Sequence, residues 1–311
     1  MVTASAITLV FSRPRDPHAE PAFRHMVAQI VQAVGGLPVL IVPHLYDVAP
    51  HGPLFGYLRQ VVTDMILLAP LYPRAAQLVL RANGLRFRLV RQTTDQAEPS
   101  QKDGARRLWA FDYREYGSFD VLQNTIAALV ARFLRGVQPL VDSRPVIEEV
   151  QEDVRPRWYP VIDDEACVNC LECLNFCLFG VYDLNKEGRV FTAQPDQCRP
   201  GCPACARVCP TGAIVFPLYP DAKIAGGDSV KESGESQVIM LSDLTSRISE
   251  DKRRSNSLFV ELDQSRVTSH LSADSQSAEE ATDDTFSIER ADIPEKKTLQ
   301  QWLREAEDEG P

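Results

Sequence analysis

Residues 167–177 read CVNCLECLNFC and residues 198–210 read CRPGCPACARVCP, and these two stretches decide how the chain folds. Together they hold all eight cysteines of the 311-residue sequence. The first follows C-x2-C-x2-C-x3-C, and the second follows C-x3-C-x2-C-x3-C-P, with one additional residue between its first two cysteines. The two stretches are therefore interpreted as two halves of an internal repeat.

The spacing suits a cubane of four irons and four sulfides. Two residues between cysteines let the backbone wrap the cluster and direct its amides at the sulfides. The three residues that follow make roughly one helical turn, which carries the fourth thiol away from the first three. We therefore expect the fourth cysteine of each motif to point elsewhere.

Both motifs resemble those of the bacterial two-cluster ferredoxins. In that family the fourth cysteine of one motif ligates the cluster of the other motif. The resemblance thus implies a small α+β ferredoxin-like domain with two [4Fe-4S] clusters and no catalytic side chain. It implies that Cys167, Cys170, Cys173 and Cys209 hold cluster 1, and that Cys198, Cys202, Cys205 and Cys177 hold cluster 2.

The sequence departs from the family pattern in two places. A proline usually follows the fourth cysteine, but Leu178 takes that position in the first motif, whereas the second motif keeps Pro210. The additional residue before Cys202 reshapes a ligand loop, and we expect Pro200 and Gly201 to form a turn that absorbs it. The alternative is a second site that has lost its cluster.

Two other uses of cysteine are less consistent with the pattern. Zinc sites usually combine two C-x2-C pairs that are separated by a longer loop. Disulfides are typical of secreted domains, but the first residues, MVTASAI, show neither a basic segment nor an obvious cleavage site. We therefore expect iron ligands in a cytoplasmic protein. No apolar run approaches the length that spans a bilayer, so we expect no membrane span.

The net charge of −10 is unevenly distributed. Residues 1–138 contain 15 basic and 10 acidic side chains, whereas residues 223–311 contain 11 basic and 20 acidic ones. The acidic balance of the whole chain therefore says little about its N-terminal part. We expect no nucleic-acid partner.

Residues 1–138 alternate apolar strand patterns with amphipathic helix patterns. Strands are predicted at 7–12, 37–42, 65–68 and 87–90, and helices at 22–34, 73–82 and 119–134. Such alternation predicts an α/β domain with a parallel sheet that is covered on both faces. Its ligand is unknown.

Two segments of this domain, SRPRDP at 12–17 and DMILLAPLYP at 64–73, resemble segments of small sirohydrochlorin-type chelatases. Those enzymes place a metal-binding histidine at the end of the first strand, where this sequence has Phe11 and Ser12. The resemblance therefore implies a fold and no activity, and no catalytic residue is carried over.

The histidines and arginines of this domain could form binding sites or could lie scattered on the surface. A metal site is one interpretation of the histidines, and scattered surface positions are the other. The arginines form either a basic face toward an acidic partner or phosphate, or solvated edges of helices and strands. The residues concerned are His18, His25, His44, His51, Arg81, Arg86, Arg88, Arg91, Arg106 and Arg107.

Residues 139–157 are polar and punctuated by prolines, which is typical of a linker. Residues 158–222, which we call the cysteine module, should contain strands at 158–162, 181–184, 189–192 and 213–216. Six apolar residues are expected to shield the clusters from water. They are Phe179, Tyr182, Val190, Phe191, Ile214 and Phe216.

Residues 223–311 have few aromatics and many charges, which indicates an acidic and mostly disordered tail. Two apolar islands interrupt it, at 238–248 and 298–305. In the second, Thr298 would cap a short helix that carries Leu299, Trp302 and Leu303. The helix either docks a partner or packs on the chain's own domains.

These observations predict an iron–sulfur electron-transfer protein, either a one-electron carrier or an electron-input module for a redox partner protein. The alternative is a ferredoxin-fused redox enzyme whose N-terminal domain binds a substrate such as a tetrapyrrole or flavin. A third possibility is that the clusters serve a binding protein as structural staples or sensors.

Overall fold

The computed structural model describes residues 7–50, 52–90, 106–133, 146–227 and 296–308. The strands are β1 (Ile7–Ser12), β2 (Val39–Val42), β3 (Asp64–Ala69), β4 (Phe87–Leu89), β5 (Arg106–Asp112), β6 (Val146–Glu149), β7 (Val161–Ile162), β8 (Tyr182–Leu184), β9 (Val190–Thr192), β10 (Ile214–Val215) and β11 (Lys296–Thr298). The α-helices are α1 (Glu20–Val34), α2 (Pro53–Gln60), α3 (Pro73–Ala82), α4 (Phe119–Phe133), α5 (Glu172–Phe176), α6 (Ala204–Val208), α7 (Ala222–Ala225) and α8 (Leu299–Asp308). Within these ranges, no helix is both long enough and apolar enough to cross a membrane.

Seven strands form one sheet in the order β11-β6-β2-β1-β3-β5-β4. Every neighbouring pair is parallel except β11 and β6, which run antiparallel. The predicted α/β fold with a parallel sheet is therefore confirmed. The sequence patterns missed α2, β5 and β6. Strand β5 begins with two arginines and β6 ends with two glutamates, which weakens the apolar pattern of both strands.

The two faces of the sheet bury different partners, because successive side chains of a strand point to opposite faces. Leu9 and Phe11 of β1 pack with α1, α4 and α8 on one face. Val10 packs with α2, α3 and the cysteine module on the other. The module thus continues the apolar core of one side of the sheet.

Strand β6 lies inside the range that was predicted to be a linker. Ile147 is fully buried and pairs with Val39 of β2, so residues 146–149 belong to the sheet. Residues 296–308, in the predicted tail, likewise form β11 and α8 against this edge. The apolar island at 238–248 lies outside the described residues.

Helix α8 begins with the cap that the sequence predicts at Thr298. The Gln301 backbone N–H donates to Thr298 Oγ1 at 3.2 Å, and Gln301 Oε1 accepts from the Thr298 backbone N–H at 2.9 Å. This reciprocal pair is a capping box. Trp302 is fully buried, and its Nε1 donates to Glu149 Oε2 at 3.0 Å. The Arg24 guanidinium carbon stacks over the indole, 4.7 Å from the ring centroid. The sequence left open whether this helix docks a partner or packs on the chain's own domains. In the structure it packs on the α/β domain.

We expect Trp302→Ala to lower the free energy of unfolding of the α/β domain by about 3–5 kcal/mol, because it removes a buried indole and leaves a cavity. Urea denaturation followed by circular dichroism measures the change. Gln300→Ala, at an exposed position of the same helix, should change it little. A loss below about 1 kcal/mol for Trp302→Ala would show that α8 does not contribute to the core.

Candidate metal centre

The two cysteine motifs have the same local architecture. Each runs from a loop through a short helix, α5 or α6, to a fourth cysteine just beyond the helix end. Cys177 has φ −75° and ψ 113°, and Cys209 has φ −70° and ψ 114°. Both fourth cysteines thus leave their helix in the same extended conformation, which confirms the internal repeat.

The loop of the first motif contains left-handed backbone at non-glycine residues. Asn169 has φ 56° and Leu171 has φ 64°. Asn169 offsets the cost of this conformation through its amide, whose Nδ2 donates to the Gly188 carbonyl and whose Oδ1 accepts from the Val190 N–H, both at 2.9 Å. These bonds fasten the loop to the β8–β9 hairpin.

The loop of the second motif accommodates its additional residue through a turn. The Cys202 N–H donates to the Arg199 carbonyl at 3.1 Å, which closes the turn across Pro200 and Gly201. Gly201 has φ 77°, a region that glycine enters without steric cost. The predicted turn is confirmed.

The cysteines form two adjoining groups that mix the two motifs. One small cavity, of about 10 Å³, is lined by Cys167, Cys170 and Cys173 of the first motif and by Cys209 of the second. Cys170 is exposed and Cys173 is buried. The fourth cysteine of the second motif therefore faces the first three of the other motif.

The second group is defined by electrostatic interactions between thiols. Cys198 lies close enough to Cys177, Cys202 and Cys205 for their charges to interact. Cys173 and Cys205 interact as well, so the two groups adjoin. Burial raises the pKa of Cys173 and of Cys198 to about 12 and that of Cys205 to about 11.

Donors surround several sulfur atoms. The Asn169 N–H lies 3.4 Å from Cys167 Sγ, and the Ala213 N–H lies 3.3 Å from Cys209 Sγ. The Tyr182 hydroxyl donates to Cys205 Sγ at 3.0 Å, and burial raises the pKa of this phenol far above its usual value, so it stays protonated. Such donors stabilise a thiolate.

The described residues contain no group of three or more His, Cys, Asp or Glu side chains that is arranged to hold a metal ion. In a four-iron cluster each thiolate binds a different iron, so its ligands stand farther apart than those of one ion. The eight thiols, their mixed grouping and the surrounding donors fit that donor set.

The predicted apolar shield is formed only in part. Val190 and Ile214 line the cavity of the first group, and Tyr182 is buried beside Cys205. Phe179 and Phe191 are 38% and 41% exposed, so their part in the shield stays a prediction. Both belong to short segments whose apolar residues the repeat alone could not orient.

The cysteine module packs tightly on the α/β domain. Arg74 of α3 donates to Asp163 Oδ2 from Nε at 3.1 Å and from Nη2 at 2.8 Å. The Tyr46 ring stacks on that of Tyr159 with centroids 4.3 Å apart, and Tyr46 also lies close enough to Cys198 for electrostatic interaction. The loop that follows β2 therefore reaches the second cysteine group.

That same loop borders a cleft of about 630 Å³ at the carboxyl ends of β1, β2 and β6. His44 and Asp47 lie in its wall, and both side chains are at least 96% buried. His44 Nδ1 is 3.5 Å from Asp47 Oδ2 and has no hydrogen-bond partner. Asp47 also binds Arg15 in an ion pair. Sequence reasoning left His44 as a candidate metal ligand or a scattered surface residue, and nothing in its spacing indicated the pairing with Asp47.

The other histidines and arginines singled out from the sequence do not assemble into a site where the structure describes them. His18 and His25 are exposed, and His51 and Arg91 lie outside the described residues. Arg107 pairs with Asp64 at 2.5 Å, and Arg81 with Glu165 at 3.0 Å. The remaining three are Arg86 and Arg88, which are exposed, and Arg106, which donates to the Val61 carbonyl.

Comparison with known proteins shows that part of the chain is similar to ferredoxins. An uncharacterised ferredoxin of Methanocaldococcus jannaschii is 44% identical over 19% of this chain and 41% of its own length. Ferredoxin-3 of Nostoc sp. is 33% identical over 18% of this chain and 73% of its own length. The pyruvate synthase subunit PorD of M. jannaschii is 38% identical over 18% of this chain and 62% of its own length. No family model matches the chain.

The chain therefore belongs to the ferredoxins, through a domain that makes up 18% of its length. These similarities support iron–sulfur clusters and an electron-transfer role. They do not support the expected likeness of the N-terminal domain to chelatases. The chain spans 41% of the first of these relatives and 62% of the pyruvate synthase subunit, so the activities of the whole proteins do not transfer directly.

We expect His44 to make folding pH-dependent. Burial lowers the pKa of His44 from 6.5 to about 4, although Asp47 opposes the shift and Arg15 and Arg114 add to it. His44 therefore takes up a proton more readily in the unfolded chain than in the folded protein. The stability that its neutral form contributes is fully present above pH 6.5 and is lost as the pH falls toward 4. It amounts to about 2 kcal/mol between pH 7 and pH 5.

Urea unfolding at a series of pH values measures this dependence. His44→Asn should flatten the decline between pH 7 and pH 5, and His18→Asn, at an exposed position, should leave it unchanged. A decline that is equally steep in wild type and His44→Asn would contradict the burial argument.

Proposed function

We propose that this protein is a one-electron carrier or electron-input module that holds two [4Fe-4S] clusters. The observation that carries the proposal is the cavity in which Cys167, Cys170 and Cys173 meet Cys209 of the other motif. The mutual interactions of Cys177, Cys198 and Cys205 support the reciprocal set. The similarity to ferredoxins supports the cofactor class.

The ligand sets proposed are Cys167, Cys170, Cys173 and Cys209 for cluster 1, and Cys198, Cys202, Cys205 and Cys177 for cluster 2. A [4Fe-4S] cluster supplies a site that accepts and releases one electron. The thiols must ionise to bind iron, and burial opposes ionisation at Cys173, Cys198 and Cys205. Loading therefore releases protons. The Tyr182 hydroxyl and the Ala213 N–H then stabilise thiolate charge.

An electron-transfer domain needs a redox partner protein, and the relatives include a pyruvate synthase subunit. We propose that the chain likewise serves an oxidoreductase. The buried Trp302 does not offer its ring to such a partner, so the proposed docking through the C-terminal tail loses its main anchor.

Anaerobically purified protein should contain about eight irons per chain. Cys177→Ser should change the paramagnetic resonance signal of the cluster held by Cys198, Cys202 and Cys205, and Cys209→Ser that of the other cluster. The two signals should differ, because the two ligand loops differ in length by one residue.

Each serine variant serves as the matched control for the other. About four irons in the wild type would mean that the second site has lost its cluster. Zinc in place of iron would reject the proposed function. If Cys177→Ser instead changed the signal of the cluster held by Cys167, Cys170 and Cys173, crossed ligation would be rejected. The proposed electron-transfer function would not be affected by that result.

A second function is favoured by the cleft beside His44. In this alternative the α/β domain binds a redox-active small molecule, and the module supplies it with electrons. Tyr46, in the same loop as His44, stacks on Tyr159 and lies close enough to Cys198 for electrostatic interaction. A cleft of this size at the carboxyl ends of parallel strands is a usual place for a ligand.

We expect the absorption spectrum of anaerobically purified protein to distinguish the two functions. A bound flavin or tetrapyrrole adds bands beside those of the clusters, and His44→Asn should reduce their intensity if the molecule occupies the cleft. Iron–sulfur absorption alone in wild type, with no change in His44→Asn, would favour the plain carrier.

A further inference from the structure

Tyr182 and Ile214 occupy the same place in the two halves of the cysteine module. Each lies five residues after the fourth cysteine of its motif, and each is the first residue of a strand, β8 or β10. The glycine two residues earlier has nearly the same left-handed backbone in both halves, with φ 65° at Gly180 and 61° at Gly212. Tyr182 and Ile214 are both buried. The two positions are therefore equivalent in the backbone and differ in the side chain.

The hydroxyl of Tyr182 is the feature that the other half lacks. Ile214 lines the cavity of the first cysteine group with an aliphatic side chain. Tyr182 instead donates from its hydroxyl to Cys205 Sγ at 3.0 Å. Burying a hydroxyl is costly unless it finds a hydrogen-bond partner, and Ile214 shows that an apolar side chain can fill this position. Packing alone therefore does not account for the hydroxyl.

The hydroxyl acts on one sulfur in particular. Tyr182 lies close enough to Cys173, Cys177 and Cys205 for electrostatic interaction, and its hydrogen bond is made to Cys205. The backbone N–H of Ala206 donates to Cys205 as well. Cys205 belongs to the second cysteine group, so the bond bears on that group more than on the first.

A hydrogen bond to a ligand sulfur changes how readily the site takes up an electron. Hydrogen bonds to the sulfurs are among the factors that set the reduction potential of an iron–sulfur site. One-electron reduction increases the negative charge on the ligand sulfurs, and a hydrogen bond strengthens as its acceptor becomes more negative. The phenol keeps its proton throughout. The bond therefore stabilises the reduced form more than the oxidised form.

We propose that the Tyr182 hydroxyl raises the reduction potential of the second cysteine group through its hydrogen bond to Cys205. Tyr182 acts through a proposed ligand and is therefore a positioning residue. The inference rests on the proposed function, because the group has a potential of this kind only when it holds a cluster. The bond favours an electron at the group that Tyr46 of the α/β domain approaches.

The test is a redox titration of anaerobically purified full-length protein, followed by paramagnetic resonance. Tyr182→Phe keeps the ring and removes only the hydroxyl. We expect it to lower the equilibrium constant for reduction of the second site about tenfold, which moves the midpoint by about 59 mV to more negative potential for one electron. The first site should shift less. Cys177→Ser and Cys209→Ser assign the two signals.

Two further variants separate the hydrogen bond from other effects. Tyr219→Phe removes a phenolic hydroxyl that accepts from Arg207 Nη2 at 2.8 Å elsewhere in the module, and it should leave both midpoints unchanged. Tyr182→Ile introduces the residue that the other half has at 214, and it should lower the second midpoint as Tyr182→Phe does. Each of these variants should keep about eight irons per chain.

The outcomes distinguish this inference from the proposed function. If wild type lacks iron or shows one cluster signal only, the proposed two-cluster function fails. If Tyr182→Phe keeps its iron and both midpoints equal those of wild type, the hydrogen bond does not set the potential. Equal shifts at both sites, or the same shift in Tyr219→Phe, would also overturn the inference. Loss of iron from the second site in Tyr182→Phe would overturn it too, because the hydroxyl would then be needed to hold the cluster.

Discussion

A continuous apolar core between the sheet and the cysteine module is the constraint on which the rest of the structure depends. Val161 and Val215 of the β7–β10 ribbon are buried in the same core as Ala75 and Val79 of α3. Gly226 approaches Ala75 so closely that a Cβ atom would lie 3.1 Å from it. The ribbon thus packs directly against the α/β domain, and Ile162 and Ile214 line the cavity of the first cysteine group.

Polar contacts at the boundary fix the orientation that the apolar core alone would leave loose. The Arg157 side chain is almost fully buried. It donates to the Val48 carbonyl of the α/β domain and to Asp196 Oδ1 of the cysteine module, each at 2.8 Å. Burying a guanidinium is costly unless it is paired, so these bonds favour one relative position of the two parts. Asp196 lies two residues before Cys198, and the placement of a proposed ligand therefore depends on the α/β domain.

Residues 296–308 cover the β6 edge of the sheet. Strand β11 pairs antiparallel with β6, and Trp302 of α8 reaches Glu149 at the end of that strand. An exposed strand edge is prone to pair with other chains, and this cover removes it for β6. Glu149 also pairs with Arg13, which lies beside the cleft, so the C-terminal segment supports the same region as His44.

The sequence by itself determined the elements whose signal is local. The cysteine spacing, the turn at Pro200 and Gly201, the cap at Thr298 and the bounds of β1 and α3 depend on neighbouring residues alone, and the structure has them. Spacing along the chain contains no information about contacts between distant segments. Only the tertiary structure could therefore place β6 in the sheet, bury Trp302 or pair His44 with Asp47, because packing selects among many contacts that the local pattern permits equally.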